Sequence, residues 1–206
     1  LILLITLGFD ERFALRAILR NGVTQRDAIY LFMSEGGDPR AEKAFGALRE
    51  IVAKGFPELK VEKVEVPLGS FPLAVSRLRT FLKQLAGQKT ILNLSGGQRA
   101  LLVSLLSAAL SLDLDSEVEV ETEDSRTIFQ FPLKMLKTIP LDELDTRILK
   151  LMRENYPLKI KDIAQRLGVS KPTIWRRLER MRREGLVTRD EQNTYSPTEL
   201  GLSRAS

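Results

Sequence analysis

The sequence predicts an α/β fold, a Rossmann-like, mainly parallel sheet closed by a terminal β-hairpin over residues 1–131, followed by a winged helix-turn-helix over residues 141–206. Three observations predict it. Short apolar runs alternate with amphipathic stretches up to about residue 112, the order that builds a parallel sheet. Two short alternating runs then flank Asp124-Ser125, as a hairpin does. Beyond a connector at 132–140 with a proline at each end, Pro132 and Pro140, the pattern changes to three helical segments and a polar turn.

The first strand is LILLITL, residues 1–7, ended by Gly8 and Asp10. It lacks the basic leader and small-residue cleavage site of a signal peptide and reads as a buried strand. Residues 29–33 give the second strand, and 61–66, alternating apolar and charged, a third with one wet face. Residues 90–94 give a fourth, buried one. Between and after them, 11–20, 39–54, 72–85 and 98–112 carry apolar residues at helical spacing, which makes four βα units. Val118, Val120 and Thr122, alternating with glutamates, and Ile128, Phe129 and Phe131 form the hairpin arms.

In the C-terminal part, Leu141, Leu144, Ile148, Leu149 and Met152 mark one helix and Ile160, Ile163, Ala164 and Leu167 a second. Ile174, Leu178 and Met181 mark the third. In the intervening RLGVSKPT, Gly168 permits the tight turn, Ser170 caps the next helix and Pro172 fits its first turn. Gly185 stops that helix, and residues 186–188 and 194–196 form two short strands around a polar turn, the wing.

Cysteine and histidine are absent, which excludes disulfides, Cys/His metal sites, thiol nucleophiles and Ser-His-Asp catalysis. No catalytic residue and no metal ligand is assigned. No apolar run is long enough to span a bilayer, the longest being broken by Ser104, Ser107 and Ser111, so a soluble chain is expected. The net charge is +5, unevenly placed: 18 basic residues face 17 acidic ones up to Thr138, and 14 face 10 from Ile139 onward. The basic excess points to an anionic partner for the second domain.

With Ile174, Leu178 and Met181 inward, helical spacing puts Pro172, Thr173, Arg176, Arg180 and Arg183 on the opposite face, with Ser170 and Lys171 leading in. Such a helix suits the major groove of double-stranded DNA. Arg177 lies nearer the packed side, and Trp175 either contacts DNA or rests on the domain edge.

The fourth strand runs into LSGGQ, a string known from the signature loop of ABC-type ATPases. That loop works with a phosphate-binding GxxxxGK[ST], and the sequence has no Gly-Lys pair, so ATP hydrolysis is rejected. A strand turning through Ser95-Gly96-Gly97 into a helix still presents backbone N–H groups to an anion, although two glycines alone need only make a sharp turn. In a sheet ordered 3-2-1-4-5, the first strand ends beside this loop in Thr6-Leu7-Gly8-Phe9-Asp10, and the two loops flank the ligand crevice. Phe9 is read there as a wall or a core residue and Arg99 as a site charge or a surface residue. Ser95 and Gln98 are candidate readers of polar edges.

TLGFDERF, LNLSGGQRALL and GVSKPTIWRRLERMRREGLV together resemble the CRISPR-associated transcriptional regulators with an N-terminal CARF domain and a C-terminal winged helix. The resemblance covers nearly the whole chain. It implies a homodimer whose paired CARF domains bind a cyclic oligoadenylate, most simply cyclic tetra-adenylate, whose symmetry matches the dimer. The implied ligand residues are Thr6, Leu7, Gly8, Phe9 and Asp10 in the first loop and Ser95, Gly96, Gly97, Gln98 and Arg99 in the second. It also implies an archaeal, cytoplasmic setting in antiviral defence, with control of CRISPR-associated genes. The alternatives are a ring nuclease that cuts this ligand, fused to a DNA module, and a protein-binding adaptor without ligand.

Overall fold

The computed structural model describes residues 1–205, which form two compact units, Leu1–Lys137 and one beginning at Thr138. In chain order the first contains β1 (Ile2–Thr6), α1 (Arg12–Arg20), β2 (Ala28–Ser34), α2 (Pro39–Gly55), β3 (Lys60–Val66) and α3 (Phe71–Leu82). There follow β4 (Thr90–Asn93), α4 (Arg99–Ser111), β5 (Ser116–Glu121) and β6 (Ile128–Pro132). The six strands lie in the order β3-β2-β1-β4-β5-β6, parallel except for β6, which runs antiparallel to β5.

β1 sits in the middle because every one of its residues is apolar or small enough to bury, and all five are buried. Its alternation serves two cores. Leu4 joins Phe32, Leu92, Leu78 and Leu105 on the face covered by α3 and α4. Leu3 and Ile5 join Leu31, Ile18 and Leu48 on the face covered by α1 and α2. Each large apolar side chain buried this way contributes about 1.5–3 kcal/mol. The edge strand β3 carries Lys60–Glu62 and Lys63–Glu65 ion pairs, charges that blunt a sheet edge. The carboxyl ends of β1 and β4, neighbours where the winding reverses, open onto the crevice where such sheets bind ligands.

Some boundaries differ from the sequence reading. The helix expected over 72–85 ends at Leu82 and tightens into a 3-10 turn, Lys83–Leu85. Thr122, expected in a strand, opens the hairpin turn. Pro132 still pairs with Glu117, and Leu133 is buried in the first core.

The second unit contains α5 (Glu143–Glu154), β7 (Leu158–Lys159), α6 (Ile160–Leu167), α7 (Lys171–Arg183), β8 (Val187–Arg189), β9 (Thr194–Pro197) and α8 (Glu199–Ser203). Its strands order as β7-β9-β8, so the two wing strands gain a third from the start of α6. β7 and α8 are additions to the sequence reading. Ile148, Ile163, Ile174, Leu178, Met181 and Tyr195 fill its core. Asp142 and Asp145 close a capping box at the start of α5, Gly168 ends α6 at φ 67°, and the Ser170 hydroxyl accepts from the Thr173 N–H at 3.4 Å. Among the described residues no helix is long and apolar enough to cross a membrane.

Candidate ligand site and nucleic-acid interface

The loops after β1 and β4 are locked together. The Thr6 hydroxyl donates to the Gly96 carbonyl at 2.6 Å. A side chain on Gly8 would place its Cβ 2.7 Å from the Gly97 nitrogen, and one on Gly96 would stand 2.9 Å from the Thr6 carbonyl oxygen. Gly97 itself adopts φ 88°. The glycines therefore serve first to let two backbones touch, a need that side chains cannot meet. Two cavities of about 310 and 660 Å³ open on this contact and share Ser95, Gly96, Gly97 and Glu123.

Beneath the second loop lies a buried polar network. The Asn93 side chain accepts from the Ser95 N–H at 3.2 Å and donates to Glu119 at 3.1 Å. Glu119 also receives Arg20 (3.0 Å), Asn21 (3.1 Å) and Gln130 (2.8 Å), while Glu121 receives Arg16 at 2.6 Å. The Glu121 N–H donates to the Ser95 hydroxyl at 2.9 Å, and among the described residues the hydroxyl hydrogen has no acceptor.

Burial raises the Glu119 carboxyl, and the hydrogen bonds from Arg20, Asn21, Asn93 and Gln130 together outweigh it, holding the group below the ordinary glutamate value of 4.5. Because the folded value lies below the unfolded one, ionised Glu119 stabilises the fold above pH 4.5, and that contribution fades as pH falls through the folded value. The expected result is a loss of urea stability on acidification below 4.5 that is shallower in Glu119→Gln. Equal pH slopes in the two proteins would remove Glu119 from the acid response.

The first loop is only partly as the sequence reading has it. Thr6 and Leu7, expected at the ligand, are buried at 1% and 3% exposure, so both act from inside, Thr6 as the clasp on Gly96 and Leu7 in the core. Gly8, Phe9, Asp10, Ser95, Gly96, Gly97 and Gln98 line the smaller cavity, and Arg99 lines the larger. Phe9 is exposed, with the Arg40 guanidinium 3.9 Å over its ring. Arg40 in turn grips Asp38, which its hydrogen bonds pull down to about 2. Asp10 is held by Arg12 at 2.6 Å, a bond that keeps its carboxyl below the usual range. Phe13, Glu123 and Thr127 also line these cavities and were not singled out by sequence.

In the second unit, Lys171, Pro172, Trp175, Arg176 and Arg183 are exposed along α7, and Ser170 is exposed at its cap. Thr173 is half-buried and shares a hydrogen bond of 2.9 Å with Ser170. Arg180, half-buried, also has a partner inside the unit. It turns back to the carboxylate of Asp145, which is fully buried, and Arg177 reaches the same carboxylate at 3.3 Å. A groove of about 420 Å³ runs past Trp175, Arg176, Arg177, Glu179, Arg180 and Arg183.

Comparison with known proteins gives a match to the family model described as "Csa3 CRISPR-associated Rossmann-like domain" over residues 1–132, and to "Winged helix-turn-helix DNA-binding" over 141–188. No curated protein matches the sequence. Among solved structures, Lactococcus lactis ZitR is 22% identical, with a TM-score of 0.32, over 34% of this chain and 49% of its own. Protein VC1899 from Vibrio cholerae is 13% identical over 99% of this chain and 63% of its own, at a TM-score of 0.50, which shows a likeness of fold. Can2 from Sulfobacillus thermosulfidooxidans, solved in complex with cyclic tetra-adenylate, is 11% identical over 98% of this chain and 61% of its own, at 0.49. The chain thus spans about half of ZitR and under two thirds of the other two.

Proposed function

The chain belongs to the family of Csa3 CRISPR-associated Rossmann-like domains and joins one to a winged helix, and on that premise we propose that it is a homodimeric transcriptional regulator sensing a cyclic oligoadenylate. The observation that carries the reading is the pair of cavities at the carboxyl ends of β1 and β4, walled by backbone at Gly8, Gly96 and Gly97, with Arg99 at the start of α4. Glycine walls let a phosphate approach the N–H groups of the loop, and the positive end of α4 and Arg99 favour its charge. Exposed Phe71, Leu73 and Val103 on α3 and α4 offer an apolar surface for pairing two copies. Cyclic tetra-adenylate suits a site repeated about a two-fold axis.

Neither loop contains lysine and Arg99 is the one fixed cation within the two, so binding without robust turnover is the reading. DNA is held through α7 by Arg176, Arg180 and Arg183, of which Arg176 and Arg183 have no ion pair among the described residues, with Ser170, Lys171, Pro172, Thr173 and Trp175 at the leading end. Ligand then changes the affinity for DNA, and DNA the affinity for ligand, by one coupling energy.

Titration of the full chain with cyclic tetra-adenylate, with and without promoter DNA, tests this. Saturable binding at one ring per dimer without turnover is expected, and a folded dimer that binds no ring ends the proposal. Replacing Arg176 and Arg183 together by alanine is expected to weaken DNA binding about 10- to 100-fold and to flatten its salt dependence by roughly one unit per lost phosphate contact. Unchanged binding would take α7 out of the DNA interface.

A further inference from the structure

The cavity walls carry charges of both signs, and all but two are already engaged. Asp10 is held by Arg12 at 2.6 Å, and Glu121 by Arg16 at 2.6 Å. Asp124 accepts from the Thr122 hydroxyl at 2.6 Å and from the Arg126 N–H at 3.1 Å. Among the described residues that leaves Arg99, lining the larger cavity, and Glu123, lining both, without a hydrogen bond or ion pair. Glu123 stands in the turn of the β5–β6 hairpin and shares its cavities with Ser95, Gly96 and Gly97.

A carboxylate at the wall of a phosphate site is unfavourable unless it meets a donor, because an ionised carboxylate only accepts. A nucleotide supplies both halves. Its phosphate is an anion, and its base and ribose present N–H and O–H groups. From this we propose that Glu123 is a ligand-binding residue that accepts a hydrogen bond from a nucleotide N–H or O–H, while the loop Ser95–Arg99 takes the phosphate. The hairpin turn thereby biases which donors the site selects, since Glu123, exposed before binding, is left unsatisfied where a ligand displaces its water and offers no donor. Carboxylates read exocyclic amino groups in this way in other nucleic-acid sites. The inference rests on the nucleotide reading above.

The test is calorimetric titration of the full chain with cyclic tetra-adenylate, its purine-riboside counterpart, which lacks the exocyclic amine and gains no other donor, and its 2′-deoxy counterpart. Glu123→Ala is expected to weaken tetra-adenylate binding about 10- to 100-fold, the loss of a hydrogen bond to a charged group, and Glu123→Gln, which keeps an acceptor, to recover part of it. In the wild type one of the two altered rings is expected to lose a similar factor, and Glu123→Ala to bind that ring and tetra-adenylate alike. Loss with the purine-riboside ring identifies the amine as the donor; loss with the deoxy ring identifies the ribose hydroxyl. Glu123→Ala binding tetra-adenylate as tightly as the wild type, or more tightly, overturns the inference and leaves the sensor reading standing. So does discrimination among the rings that survives in Glu123→Ala. A wild-type chain that binds none of the rings removes the nucleotide reading itself, and the role of Glu123 with it. Thermal melting of each variant separates lost contact from lost fold.

Discussion

Gly97→Ala is expected to abolish ring binding and to destabilise the first unit by about 1–3 kcal/mol, the usual cost of a side chain held in an unfavourable backbone region. Two strains coincide there: the residue sits at φ 88°, and a Cβ would stand 3.1 Å from that of Thr6. Gly8→Ala reaches the same end differently, since its Cβ would meet the Gly97 nitrogen at 2.7 Å and the Gly97 Cα at 3.1 Å, backbone atoms that can yield only if the two loops part. Parting the loops breaks the Thr6–Gly96 hydrogen bond and moves the shared wall of both cavities. The double variant is expected to cost less than the sum, because each change spoils the same contact. Gly46→Ala, inside α2 with open space around it, serves as the control and is expected to be neutral or stabilising by up to about 1 kcal/mol. Melting and titration check the set; Gly97→Ala that melts with the wild type and binds the ring would show that the loop contact is dispensable.

The layout of both units was legible because it is written in periodicity. β1 is apolar at every position, β3 alternates, and α7 places Ile174, Leu178 and Met181 on one stripe. What periodicity does not carry is the partner across the fold. In β5 the string SEVEVE predicts valines inward and glutamates toward water, yet Glu119 and Glu121 are buried at 1% and 5% exposure. α1 closes over that face and brings Arg16 and Arg20, which are about 100 positions away in sequence. The loop motif was legible as glycine-rich, but the reason for its glycines, contact with Gly8 and Thr6, exists only once β1 and β4 are neighbours.

Arg180 shows the same limit on α7, and it carries the second large effect. Helical spacing puts it on the exposed face, but a long side chain can fold back, and a buried acid decides its direction. Asp145 is fully buried, caps α5 by accepting from the Asp142 N–H at 3.1 Å, and receives both Arg177 and Arg180 from α7. The two ways of breaking this cluster should not cost the same. Without the arginines, as in Arg177→Met with Arg180→Met, a carboxylate stays buried with no cation, and about 2–4 kcal/mol of stability is expected to go. Without the acid, as in Asp145→Ala, side chains that are 30% and 40% exposed can turn to water, and a smaller loss of about 1–2 kcal/mol is expected from the missing cap and pair. The single tryptophan, Trp175, lies on α7, so its fluorescence in urea reports unfolding of this unit. Asp145→Ala also frees two cations on the helix assigned to DNA, so its DNA affinity should hold or rise while stability falls. If the arginine pair can be removed with no shift in the urea midpoint, Asp145 does not tie α7 to α5.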